Sequence, residues 1–186
     1  MKNALTVILA GIFLSAMPAV ISADEFVHWP KNGHYYKVVY VPEGISWTQA
    51  KARAEQEGGY LATITSSREN KFVFNLIDEK RFWQYHKHDR IGIGIIVGIG
   101  PWIGGYQEAG AREPDGGWKW VTGEKFDYTK WALHEPTGRW RGKNENRIQY
   151  YSTTPNERAS TWNDTADGLP DDPYPVYGYV VEKDAP

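Results

Sequence analysis

Between Trp131 and Asp164 the chain carries three short clusters of oxygen-bearing side chains. They are Glu135-Pro136-Thr137, Asn144-Glu145-Asn146 and Trp162-Asn163-Asp164. Glu135, Glu145, Asn146, Asn163 and Asp164 are carboxylates or amides, the donors that a hard cation such as Ca²⁺ gathers in sets of roughly six to eight. Pro136 adds a second feature. X-Pro is the peptide bond with an appreciable cis population, and a cis bond at Glu135-Pro136 would turn side chains 135 and 137 to the same side. Any one of these clusters alone also reads as the polar filling of a solvated loop. The three together, in this order and among tryptophans, point to a cation site.

Other constellations are weaker. His86-Lys87-His88-Asp89 offers two imidazoles to a transition metal, but the run reads more simply as a solvated loop. Asn163-Asp164-Thr165-Ala166-Asp167-Gly168 opens like an EF-hand loop, yet Tyr174 stands where the closing Glu belongs. Asn163-Asp164-Thr165 fits a glycosylation acceptor, which would block the cation site. Glu135 with Asp164 would be the acid and base of a glycosidase only at a suitable separation, and a cation between them would keep both ionised. No Ser/His/Asp arrangement or P-loop stands out. The chain is therefore read as non-enzymatic.

The elements that must position these residues follow from pattern. Tyr35 to Val41 is dense in Tyr and Val and reads as a strand. Ser46-Trp47-Thr48-Gln49 is a capping box that opens a helix, with Trp47, Ala50 and Ala54 on one apolar face and Gly58-Gly59 ending it. Tyr60 to Ile64 reads as a short strand. Ser66 to Glu69 is a second capping box, and Phe72, Val73, Leu76 and Ile77 form the buried stripe of a second helix. Ile91 to Gly100 alternates Gly with aliphatics, which predicts a buried hairpin or a surface for self-association. Its spacing does not fit a dinucleotide fingerprint. Pro101 to Gly105, Trp118 to Val121 and Ile148 to Tyr151 read as strands, with both Trp118 and Trp120 on one face. The rest of the stretch up to about Asp172 shows little regular pattern, as expected of a functional or metal-stabilised loop region. Tyr177 to Glu182 closes the chain as a strand that could pair with Tyr35–Val41.

Composition bounds the reading further. The 186 residues suffice for one domain with a sizeable core. The net charge of −2 gives no basic field for nucleic acid. Nine Trp and twelve Tyr support a heavy core and faces that stack on sugar rings. Residues 1–23 read as a secretory signal peptide: Lys2, then the apolar run from Ala4 to Leu14, then a small-residue exit ending at Ala23. Cysteine is absent, so an exported chain would fold without disulfide staples, and thiol chemistry is excluded. The expected location is secreted or periplasmic, with residues 24–186 as a single domain.

The order of these segments resembles that of C-type lectin-like domains: two helices, Trp102-Ile103-Gly104-Gly105, Trp118-Lys119-Trp120, Glu135-Pro136-Thr137, Trp162-Asn163-Asp164 and Tyr179-Val180-Val181-Glu182. The resemblance covers most of the chain after residue 30. It implies an α+β fold with two helices, mixed antiparallel sheets and a long loop region. It also implies Ca²⁺-dependent carbohydrate binding, with Glu135, Glu145, Asn163 and Asp164 as metal ligands. The glycan would then be held by Glu135, Thr137, Glu145, Asn146, Asn163 and Asp164, with Trp140 or Trp131 stacking on the sugar. The Glu-Pro motif implies a mannose- or glucose-type glycan, and weak single sites of this kind imply homo-oligomers for avidity. Thr137 departs from the family's pattern, which has Asn or Asp there, and a hydroxyl is a poorer Ca²⁺ ligand than a side-chain carbonyl. Arg147 and Val181 stand where two of the family's cysteines would be. The alternative implied by Thr137 and the Gly/Ile segment is a Ca²⁺-independent protein-recognition or adhesion module on the same scaffold.

Overall fold

The computed structural model describes residues 25–89, 94–168 and 173–185. The signal-peptide reading and residues 90–93 of the Gly/Ile segment lie outside them. The fold is α+β. Strand β1 (Val27–His28) pairs with β2 (Tyr35–Tyr40), and helix α1 (Trp47–Gln56) follows. Ser46 and Gln49 form the reciprocal capping box at its start, and Trp47, Ala50 and Ala54 are its buried face. Strand β3 is only Tyr60–Leu61, shorter than expected, because the chain beyond it turns to feed its backbone into side-chain carboxylates.

Helix α2 (Ser67–Ile77) is capped by Ser66, whose side chain accepts from the Glu69 N–H. The second half of the expected capping box is absent. Glu69 instead accepts from the Thr65 N–H and hydroxyl at 2.7 and 2.9 Å. The buried face of α2 is correspondingly shifted: Glu69, Asn70, Val73 and Ile77 are buried, while Phe72 and Leu76 are only partly covered.

After a short 3₁₀ turn, β4 (Gln84–Asp89) runs antiparallel to the first part of the long β5 (Gly94–Gln107). The His86-Lys87-His88-Asp89 run is thus a strand and not a loop, because the aliphatic arm opposite supplies a ladder; His86 pairs with Val97. Strand β6 (Trp118–Trp120) pairs with the far end of β5, with both tryptophans buried and Lys119 exposed. A small hairpin, β7 (Arg139–Trp140) with β8 (Lys143–Asn144), precedes β9 (Arg147–Ser152) and β10 (Thr161–Thr165). Strand β11 (Gly178–Lys183) pairs antiparallel with β2, as expected, and parallel with β5 at Tyr179 and Trp102. The main sheet runs β1-β2-β11-β5-β9-β10.

Two packed cores lie against this sheet. One centres on Ile103, Trp120, Ile148, Tyr150 and Trp162 under α2. The other centres on Trp47, Trp102, Val97, Ile99, Tyr151 and Tyr179 under α1. Arg147, at one expected cysteine position, lays its guanidinium 4.6 Å from the Trp47 ring. That contact fastens β9 to α1 by packing and cation–π attraction.

Candidate functional site

Strand alternation assigns the side chains of the third cluster. Residues 161–165 form β10, paired antiparallel to β9 with Asn163 opposite Gln149 and Asp164 opposite Ile148. Adjacent residues on a strand point to opposite faces. Trp162 and Asp164 accordingly lie fully buried with Ile148 and Tyr150. Asn163 and Thr165 line a pocket with Gln149 and Tyr151. The sequence pattern hid this strand, since Asn and Asp are poor strand formers. It is the β9 ladder, and the packing of Trp162 against Trp120, Tyr128 and Trp131, that hold it.

Asp164 braces the first cluster from below. Its carboxylate accepts from the Thr137 N–H at 2.9 and 3.0 Å and from the Gly138 N–H at 2.6 Å. Burial raises its pKa, against the pull of those N–H donors and of a side-chain hydrogen bond with Glu135. The second cluster is sewn to the same segment. Thr137 Oγ1 donates to Glu145 Oε2 at 2.9 Å, the Glu145 N–H donates to the Gly138 carbonyl, and the Asn146 N–H donates to the Thr165 carbonyl.

The turn around the site is tight. The Glu135–Pro136 bond is cis. Gly138 has φ +70°, and a Cβ there would come within 2.6 Å of Glu113 Oε2. His134 and Arg141, neither of them glycine, also adopt positive φ, at 70° and 48°. Left-handed backbone at such residues costs about 1–3 kcal/mol and tends to collect at functional sites.

The pocket encloses about 220 Å³. Its mouth carries Glu135, Thr137, Asn163 and Trp140 with the exposed cations Arg141 and Lys143. Arg141 lies 4.4 Å from the Trp140 ring, and Trp140 packs against Tyr174. Glu145 is 7% exposed at the same wall. Of the residues expected from sequence, Glu135, Thr137, Glu145, Asn163 and Trp140 line this one pocket. Asp164 and Asn146 do not line it; each holds a neighbouring segment in place. Trp131 lies away from it, packed edge-on and tilted among Trp118, Phe126 and Trp162. Sequence reasoning did not single out His86, Gln149, Tyr151 or Tyr174 as part of the site, although β9 alternation next to Glu145 was a usable signal for Gln149 and Tyr151.

Glu135, Glu145 and Asn163 are hard oxygen donors on one cavity, and Asn163 makes no side-chain hydrogen bond among the described residues. This donor set suits a cation of the Ca²⁺ class. Among the described residues no three His, Asp or Glu side chains are already gathered around one point, consistent with the Asp164 carboxylate being engaged by backbone N–H groups.

Comparison with known proteins agrees with this architecture. The family described as "Lectin C-type domain" matches residues 43–170. Halomucin from Haloquadratum walsbyi is 27% identical over 169 residues, 81% of this chain, but the match spans only 1% of halomucin. The C-type lectin lectoxin-Lio2 of Erythrolamprus poecilogyrus is 28% identical over 152 residues, covering 70% of this chain and 80% of the lectoxin. Among solved structures, the cow C-type carbohydrate-recognition domain of CD23, determined in the presence of a GlcNAc2Man3 oligosaccharide, aligns with TM-score 0.58 at 20% identity, covering 87% of this chain and 94% of that one. A calcium-independent type II antifreeze protein aligns with TM-score 0.52 at 20% identity, covering 87% and 98%. These structural likenesses bear on the fold.

Proposed function

The chain belongs to the C-type lectin domain family, and on that footing we propose that it is an exported, non-enzymatic, Ca²⁺-dependent carbohydrate-binding module. The reading takes residues 1–23 as a cleaved signal peptide and residues 24–186 as one domain, acting in the periplasm or outside the cell. The observation that carries it is the convergence of Glu135, Glu145 and Asn163 on one pocket beside the aromatic face of Trp140. Glu135, Glu145 and Asn163 would hold the ion, while Asp164, expected from sequence as a fourth ligand, has its carboxylate turned to the Thr137 and Gly138 N–H groups; when bound the ion would supply a Lewis-acid centre for a pair of adjacent sugar hydroxyls. The same carboxylates accept hydrogen bonds from those hydroxyls, and the Asn163 amide donates to them. Trp140 covers the apolar side of the sugar ring. Asp164 keeps the Thr137–Gly138 backbone fixed, so Glu135 and Glu145 are presented in one geometry. The Glu-Pro motif supports a mannose- or glucose-type ligand, and a homo-oligomer would supply avidity.

A second reading is a Ca²⁺-independent recognition module for a protein partner. The observation favouring it is that Asp164 already has donors from the fold. Thermal unfolding with Ca²⁺ and with chelator separates the two. A ligand that binds only the folded state adds about 2.7 kcal/mol at one hundred times its dissociation constant. The expected result is an upward shift with Ca²⁺ that Asn163→Ala removes, together with glycan binding that chelator abolishes. Glycan binding that persists in chelator would sink the calcium dependence, and protein binding that persists in chelator without any glycan binding would favour the second reading.

A further inference from the structure

The β7–β8 hairpin sets three cations, Arg139, Arg141 and Lys143, within a few residues of one another. All three are exposed, and none forms an ion pair among the described residues. Elsewhere Arg81, Arg112, Lys119 and Lys125 are also exposed, yet each pairs with an acid. The turn that presents the hairpin cations is strained. Arg139 pairs with Asn144 and Trp140 with Lys143, which leaves Arg141-Gly142 as a two-residue connection with φ 48° and 80°. Two left-handed residues suit a tight hairpin, but Asn, Asp or Gly ordinarily fills the first position. An arginine held there costs strain, and strain of this kind collects at functional sites. Register then sorts the side chains. Directly opposed residues share a face, so Lys143 lies beside Trp140, and both line the pocket with Arg141. Arg139 takes the other face. The Arg141 guanidinium lies 4.4 Å from the Trp140 ring. A guanidinium laid on a ring keeps its edge N–H groups for a planar oxyanion. The hairpin is also pinned, through the Glu145 N–H on the Gly138 carbonyl and through Trp140 on Tyr174. Glu135 and Glu145 line the same pocket. By themselves these two acids balance Arg141 and Lys143. A divalent cation held by the acids would leave the two basic groups in surplus.

We propose that the β7–β8 hairpin is an anion subsite: Arg141 and Lys143 take a carboxylate or sulfate ester carried by the saccharide, so that the protein prefers acidic glycans to neutral ones. This rests on the carbohydrate-binding reading above and adds to it the ligand class and two specificity-determining residues. Arg141 supplies paired N–H donors in a fixed plane, and Lys143 supplies a point charge on a flexible stem. Arg139, on the outer face, strengthens the local positive field without lining the pocket. Exposed charge pairs are worth little each in water and are screened by salt. The preference is therefore small for a single sugar and fades as ionic strength rises.

The test is calorimetric titration of the purified protein, in Ca²⁺ and low salt, with four ligands built on one ring: glucose, glucuronic acid, the neutral methyl ester of glucuronic acid, and glucose 6-sulfate. The expected result is about tenfold tighter binding of an anionic ligand than of glucose and the ester, the worth of roughly two exposed charge pairs. The advantage should fall to about twofold at about 0.5 M NaCl. The double variant Arg141→Gln/Lys143→Gln should bring the ratio close to one. In case that variant fails to fold, the ester and the salt series on the unaltered protein decide the question by themselves. Glucuronic acid and glucose 6-sulfate separate the two oxyanions, and an advantage for either one supports the subsite and names its ligand. Equal affinity for the charged and neutral ligands, a preference that survives the double variant, or one that salt does not reduce, would overturn the subsite while leaving carbohydrate binding intact. Binding of none of the four would overturn both.

Discussion

Two sets of acids divide this molecule, one enclosed in the core and one lining a pocket. Where the termini meet, Glu69 and Glu182 are 2% and 1% exposed, and every one of their oxygens has a donor from the fold. The Tyr36 hydroxyl lies between them, 2.6 Å from Glu69 and 2.8 Å from Glu182. Thr65, Asn32, Thr63 and His34 supply the rest. In the loop region, Glu135 and Glu145 line a pocket instead, and Glu145 accepts from the Thr137 hydroxyl. The same residue type thus serves two ends. A carboxylate enclosed by N–H and O–H donors acts as a structural knot joining β2, α2 and β11. A carboxylate left beside free volume is a group that a ligand can complete.

The largest effect should come from untying the knot. Glu182→Ala strips the partners of the Thr63 N–H and of His34, and takes one acceptor from Tyr36. Removing one member of a buried, hydrogen-bonded charge network costs about 3–5 kcal/mol. The variant should unfold at much lower urea concentration, while Glu145→Ala in the open set should cost far less stability and lose ligand binding instead. Equal destabilisation at both sites would erase the distinction.

The closed set also has a pH signature. Burial raises the Glu182 pKa to about 7, against the hydrogen bonds from His34, Thr63 and Tyr36 that pull it down. Burial would lower His34, but its hydrogen bond and charge pairing with Glu182, helped by Asp184 and Glu124, hold it above 6.5. For Glu182 the folded state keeps a proton that the unfolded chain releases above 4.5, so its contribution falls as pH rises from 4.5 towards 7. For His34 the contribution is full below 6.5 and is lost as pH rises through its folded pKa. Both signs agree: the protein is less stable at high pH than at low pH across this window, on the order of 2–3 kcal/mol for the pair titrating together. Denaturant unfolding followed from pH 4.5 to pH 8 checks it. Glu182→Gln should flatten the slope, and a slope unchanged by that substitution would place its origin elsewhere.

What the sequence shows of these regions follows the range of the forces involved. The Ser46–Gln49 box is local, and it forms as read. The pairing of Tyr35–Val41 with the closing strand follows from two alternating runs near the ends of the chain. The Glu69 side chain leaves the capping box because Tyr36 and Asn32, brought up only by the tertiary fold, join the nearby Thr65 as its donors. Strand β10 was hidden for a related reason. Asn163 and Asp164 interrupt the strand preference of Thr161, Trp162 and Thr165, and the β9 ladder and the Trp162 core carry the strand through them. Once that strand exists, alternation sends Asn163 to the pocket and Asp164 to the interior, a separation no triplet reveals by itself. His86 was likewise read as loop until the aliphatic arm of β5 is seen opposite it.

The smallest expected effect probes the residue that departs from the family's pattern. Thr137 Oγ1 donates to Glu145 Oε2, so in the open set one hydroxyl partly does what donors from the fold do in the closed one. Thr137→Asn would return a side-chain carbonyl to the pocket and free Glu145 from that bond. Both changes favour a hard cation, so Ca²⁺ affinity should rise by about five- to tenfold, the worth of roughly 1 kcal/mol. Unfolding stability without Ca²⁺ should change by less than about 1 kcal/mol, since one hydrogen bond at a half-buried position is exchanged. Calorimetric Ca²⁺ titration of the two proteins reads the difference. Weaker binding in the variant would mean that the Thr137 hydroxyl orients Glu145 for its ligand. In that case the open site is as fully organised by its own side chains as the knot at the other end, and the two acid sets differ only in the volume beside them.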